Sequence, residues 1–148
     1  MKVLIHHHSL IYKDENGLWI QSFVGSWINH LSNYCDIGLL HYETKSKTIK
    51  NDYLINKENV RFESLGYNHG LFNRSERLKH IQGISRQLRG YTHIIVRGPT
   101  PRQIDILQNF NHLINVFYFV GSINNNTFFP KSFVELYVTH DDTNSYVT

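Results

Sequence analysis

Short β-branched apolar runs alternate along this chain with stretches of helical period, and that alternation predicts its elements. Val3-Leu4-Ile5 forms a continuous apolar run inside Lys2 to His8, which predicts a first strand buried on both faces. Ser9 to Gly17 is polar and reads as a loop, with Asn16-Gly17 as its turn signal. From Leu18 the period looks helical: Trp19, Phe23, Trp27 and Leu31 fall four apart, with Ile20, Val24 and Ile28 beside them. Cys35 to Tyr42 predicts the second strand. Glu43 to Asn59 is a polar, Lys-rich excursion with a short edge strand at Tyr53 to Ile55. Val60 to Leu65 predicts a third strand, and Gly66 to Asn73 a loop.

A helix over Ser75 to Leu88 follows, with Leu78, Ile81, Ile84, Ser85 and Leu88 inward and Gly90 ending it. Thr92 to Val96 is the fourth strand. It stops at Arg97-Gly98-Pro99, after which Thr100 caps a helix whose first position suits Pro101. That helix runs to about Asn111 and turns Ile104, Leu107 and Phe110 inward. Ile114 to Val120 is a fifth strand ending at Gly121; the loop Asn124 to Thr127 and a run from Phe133 to Val138 close the chain.

Strands alternating with helices at this spacing predict an α/β fold: a Rossmann-like open, mostly parallel sheet with helices on both faces. The expected strand order is 3-2-1-4-5, with the first strand central. No repeat or linker divides the 148 residues, so one domain is expected, with 1–121 as its core and 122–148 as a loop and terminal segment.

Composition narrows the function classes. The chain is 41% hydrophobic and 18% charged, as in a folded globular protein, and its net charge of +3 is spread without a Lys/Arg block. That excludes a nucleic-acid binder and leaves an anionic ligand or peripheral contact with an acidic membrane as options. Cys35 is the only cysteine, so no disulfide forms within the chain, and it reads as a small buried apolar residue. With no signal peptide and no long apolar run, a cytoplasmic protein is expected.

Candidate chemistry gathers at the carboxyl ends of the strands, where such sheets bind ligands. His6 and His8 can share a face there while His7 cannot, because alternate strand residues point to opposite sides. No Cys, Asp or Glu stands at metal-ligand spacing from them, so no metal is expected. Gly17 follows the first strand, yet G-x-G-x-x-G is absent, as are G-x-x-x-x-G-K-[ST] and G-x-S-x-G. A dinucleotide-dependent reductase, a P-loop ATPase and an α/β-hydrolase are thereby disfavoured. Arg97, Gly98 and Thr100 sit on the rim after the fourth strand, where a fixed cation beside helix N–H groups suits an anion.

K-V-L-I-H-H-H-S, E-N-G, F-V-G-S-W-I-N-H-L, C-D-I-G-L-L-H, T-H-I-I-V-R-G-P-T-P and I-N-V-F-Y-F-V-G-S together resemble the amino-terminal half of glycosyltransferase family 4, over roughly Met1 to Gly121. The resemblance implies half of a GT-B fold, an acceptor-side domain facing a donor-binding domain across a cleft. It implies a nucleotide sugar as donor substrate, a sugar acceptor and no separate cofactor. On it, Gly17 matches the loop glycine near the donor diphosphate, His6 to Ser9 the strand end beneath, and Arg97 to Thr100 the acceptor rim.

Two departures stand out: one glycine replaces the family's frequent pair, and the carboxyl-terminal half with its basic residues and paired glutamates has no counterpart here. The chain is therefore expected to be a fragment or split subunit, not competent alone and without a nameable catalytic base. The alternative is a stand-alone Rossmann-like binding or interaction domain without catalysis. Homo-oligomerisation is compatible with both.

Overall fold

The structure is a computed structural model, and it describes residues 1–67, 73–98, 103–119, 134–138 and 145–147. In chain order the elements are β1 (Lys2–His6), β2 (Tyr12–Asp14), β3 (Gly17–Ile20), α1 (Ser22–Leu31), β4 (Asp36–Glu43), β5 (Tyr53–Ile55) and β6 (Val60–Tyr67). They continue with α2 (Arg74–Gln87), β7 (His93–Gly98), α3 (Gln103–Asn109), β8 (Ile114–Phe119), β9 (Val134–Val138) and β10 (Ser145–Val147).

Seven strands form one sheet in the order β10-β9-β8-β7-β1-β4-β6. All neighbours run parallel except β9 and β10. The five strands predicted from the apolar runs thus stand in the predicted order with β1 between β4 and β7. β1 earns that place chemically: Val3, Leu4 and Ile5 are all buried, so the strand needs cover on both faces.

Each face has its own core. Leu4, Leu40, Ile94 and Val96 pack with Ile81 of α2 and with Ile106, Leu107 and Phe110 around α3. Val3, Ile5, Ile37 and Leu39 pack on the other face with Val24 and Ile28 of α1. Helices therefore cover both faces of a mixed α/β domain, an arrangement compatible with a Rossmann-like fold. Asp105 ties α3 to α2 through Arg74 and Arg77, each at 3.2 Å.

The segment after β1 departs from expectation. Ser9 to Gly17 is not all loop and Leu18 does not open a helix. Instead β2 and β3 form a hairpin around Glu15-Asn16, and β5 pairs with β3 to complete a three-stranded antiparallel sheet. Leu18 and Ile20 are buried while Trp19 is half-buried, a period of two over too few residues to oppose the helical reading. The Trp19 indole N–H donates to Asp14 across the hairpin at 2.9 Å.

Gly17 has φ +138°, and a Cβ there would stand 2.6 Å from the Ile55 carbonyl oxygen. Helix α1 starts at Ser22 and buries Val24, Gly25 and Ile28, whereas Phe23 and Trp27 are 53% and 40% exposed. The four-residue spacing from Trp19 to Leu31 spans two different elements.

Two smaller corrections follow. Helix α2 begins one residue earlier than expected, where Asn73 accepts a hydrogen bond from the Glu76 N–H at 2.8 Å. It ends at Gln87 with Leu88 as its cap, and Gly90 is not in the left-handed region that would make it the terminator. The Thr100 cap and the Pro101 start lie outside the described residues.

Candidate functional site

The site grows from one row of residues at the carboxyl edge of the sheet. Ile5 pairs with Leu39 on one side of β1, and His6 pairs with Val96 on the other. Continuing those registers sets His7 between His41 of β4 and Arg97 of β7. In a parallel sheet such a row shares one face, and this row follows Ile5, Leu39 and Ile95 on the α1 face.

Arg97 meets Nε2 of His7 and lies with its guanidinium carbon 4.9 Å from the centre of the Phe23 ring in the first turn of α1. The His7 and His41 rings are 6.3 Å apart, and both side chains are buried.

Arg97 fixes the proton of the His7 imidazole, and Ser9 that of His41. A guanidinium has only donors, so Nε2 of His7 offers its lone pair to Arg97 and Nδ1 carries the proton. That proton is donated to Ser9 Oγ at 2.8 Å. The opposite tautomer would let Nδ1 accept from the Ser9 N–H at 2.9 Å, but it would turn an N–H against a cation. Charge favours the first. His41 Nδ1–H donates to the Ser9 carbonyl at 2.9 Å, leaving Nε2 as a buried acceptor with no partner among the described residues.

Burial pushes His7 down to about 2, helped by the charges of His8, His41 and Arg97. Burial likewise lowers His41 to about 3, although its bond to Ser9 opposes the shift. Both are neutral at physiological pH. His7 is a hydrogen-bonding support for Arg97, and His41 holds the Ser9 carbonyl.

His8, exposed at the strand end, stacks on His7 with ring centres 4.2 Å apart. Its pKa is lowered by partial burial first and then by Arg97 and Lys50. Beside it lies a hollow of about 180 Å³, lined by Ser9, Leu10, Gln21, Thr44, Thr48 and Lys50 among others. Buried Asn51 pins the loop that forms its wall. Its Oδ1 accepts from the N–H and hydroxyl of Thr48, and its Nδ2 donates to the carbonyls of Leu10 and Trp19.

Of the residues expected from sequence, Arg97 and His8 gather here, and Gly98 ends β7 paired with Phe119. His6 lies on the opposite face with Leu4 and Leu40, its Nδ1 bound to the Leu40 carbonyl at 2.7 Å. Gly17 opens β3, three residues before Ile20 and so about 10 Å along the strand from the end that reaches the rim. Thr100 lies outside the described residues.

Sequence reasoning passed over His7, Ser9, His41, Lys50 and Asn51. Nothing local in the sequence sets His7 rather than His6 beside Arg97, since that depends on the register of β1 against β7. Ser9, His41, Lys50 and Asn51 carried no local signal.

Elsewhere a hollow of about 390 Å³ at the amino edge is lined by Lys2, Asp36, Arg61, Glu63 and Tyr91. Its mixed charges include the Tyr91 hydroxyl donating to Glu63 at 2.6 Å. Among the described residues no group of three or more His, Cys, Asp or Glu is arranged to hold a metal ion, and no helix is long and apolar enough to cross a membrane. Compared with protein-family models, curated proteins and solved structures, the chain matches none.

Proposed function

We propose that this chain is the acceptor-side domain of a sugar-nucleotide-dependent glycosyltransferase, half of a GT-B fold that works across a cleft with a carboxyl-terminal donor-binding domain or subunit. The observation that carries this reading is Arg97, held by His7 and Phe23 at the rim between β1 and β7. The connection leaving β1 packs on one face through α1, and that leaving β7 packs on the other through α3. The point where connections diverge to opposite faces of a parallel sheet is the usual seat of a ligand. A cation fixed there stabilises charge developing on a departing diphosphate, and the rim positions the sugar acceptor. The nucleotide sugar is a substrate, no separate cofactor takes part, and the site of action is cytoplasmic.

Calorimetric titration with uridine and guanosine diphosphates and their sugars tests this. The chain alone should catalyse no glycosyl transfer and should bind these ligands no better than about 1 mM, about −4 kcal/mol. Arg97→Ala should abolish the residual heat. Micromolar binding of a nucleotide sugar overturns the half-site reading, and diphosphate binding indifferent to Arg97→Ala removes the rim from it.

A second reading, a binding or interaction domain without catalysis, draws on the exposure of Phe23, Trp27 and Tyr34 along and just beyond α1. Transfer that appears when a donor-binding domain is supplied decides against it.

A further inference from the structure

The hollow beside His8 has a composition that selects its occupant. Lys50 is its cation, His8 lines it with an imidazole, and Gln21 offers an uncharged amide, while the Thr44 and Thr48 hydroxyls donate to Ser46 and Asn51. No carboxylate lines it among the described residues. The nearby carboxylates are engaged elsewhere: Asp52 accepts from the Ser22 N–H at 2.8 Å, and Asp14 accepts from Trp19 and from the Asn16 N–H. Glu43 precedes the loop without lining the hollow. The loop carrying Lys50 is anchored, because Asn51 beside it is buried and uses both ends of its amide.

We propose that this hollow seats an anionic group, a phosphate monoester or a sugar carboxylate borne by the acceptor, between Lys50 and His8, with the Gln21 amide donating a hydrogen bond. The anion follows from the hollow itself; its assignment to an acceptor rests on the glycosyltransferase reading. Charge-assisted hydrogen bonds from an ammonium and a protonated imidazole give such a group a specific seat. The charges that bear on His8 are those of Arg97 and Lys50, with the neutral His7 ring stacked against it. A bound anion offsets the cations, so His8 takes up a proton as the ligand docks.

An NMR titration of the whole chain tests the proposal with three probes: inorganic phosphate, glucuronate and methyl glucoside. Phosphate or glucuronate should shift the signals of His8, Thr48 and Lys50, and glucuronate, whose charge is constant in this range, should bind more tightly at about pH 6 than at about pH 8. Lys50→Ala should weaken that binding about fivefold, whereas Lys13→Ala, at an exposed lysine on β2, should leave it unchanged. Tighter binding of phosphate identifies a phosphate monoester, and tighter binding of glucuronate a uronate. Methyl glucoside binding as well as either anion, no shifts at His8 and Lys50, or indifference to Lys50→Ala each overturns it. Failure of the transfer assays leaves the anion result standing, so the two readings fail separately.

Discussion

Arg97 and His7, ninety residues apart in the chain, meet as donor and acceptor at the end of β1. The contact joins two strands whose pairing the apolar runs alone predict, and it makes a buried neutral imidazole the support of a half-buried cation. Its consequences are measurable.

Arg97→Met keeps much of the stem but removes the donor facing His7 Nε2. An unsatisfied buried acceptor costs about 1–3 kcal/mol. Urea unfolding should show that loss with the slope unchanged. His7→Phe, which removes the acceptor as well, should combine with Arg97→Met less than additively. Additive losses would mean that the two side chains do not support one another.

Acid should destabilise the protein through His7 and His41. Their folded pKa values, about 2 and about 3, lie below the ordinary 6.5, so the unfolded chain binds more protons between those limits. Stability is therefore complete above about pH 6.5 and falls as pH drops toward the folded values. Each histidine contributes a slope of at most about 1.4 kcal/mol per pH unit. His41→Gln, which keeps a donor for the Ser9 carbonyl, should flatten the curve of urea midpoint against pH. A wild-type midpoint constant from pH 7 to pH 4 would contradict the burial of both rings.

Asn51→Ala should release the loop from Thr44 to Lys50 without unfolding the main sheet. It deletes four hydrogen bonds and strands the Leu10 and Trp19 carbonyls. At about 0.5–1.5 kcal/mol for each net bond, a loss of about 2–6 kcal/mol is expected. Limited trypsin digestion should then cut at Lys47 and Lys50 before Arg61 in β6 or Arg97 in β7. Unchanged digestion would show that other contacts hold the loop.

Gly17→Ala tests the hairpin. The residue combines φ +138° with a Cβ position only 2.6 Å from the Ile55 oxygen, so strain and a clash coincide. A cost of about 1–3 kcal/mol is expected, read as lost amide protection in β3 and β5. Full protection at wild-type stability would assign the glycine to something other than this turn.

The main sheet was legible in the sequence because strands covered on both faces must be apolar at consecutive positions. Val3-Leu4-Ile5, Ile94-Ile95-Val96 and the segment from Cys35 announce themselves that way, and the right-handed crossover rule then orders them. The hairpin was not legible, since Leu18, Trp19 and Ile20 carry an alternation too short to oppose a helical spacing that continues by chance into α1.

The candidate site divides along the same line. Arg97 and His8 stand where a strand runs out, and a strand's end is a local property that sequence reveals. Which imidazole Arg97 meets depends on register between strands ninety residues apart, and how Ser9 sets the His41 tautomer depends on β4 lying beside β1. Chain chemistry determined the strands and their ends; only tertiary pairing decided that His7, and not His6, faces the cation, because a one-residue step along a strand exchanges its two faces.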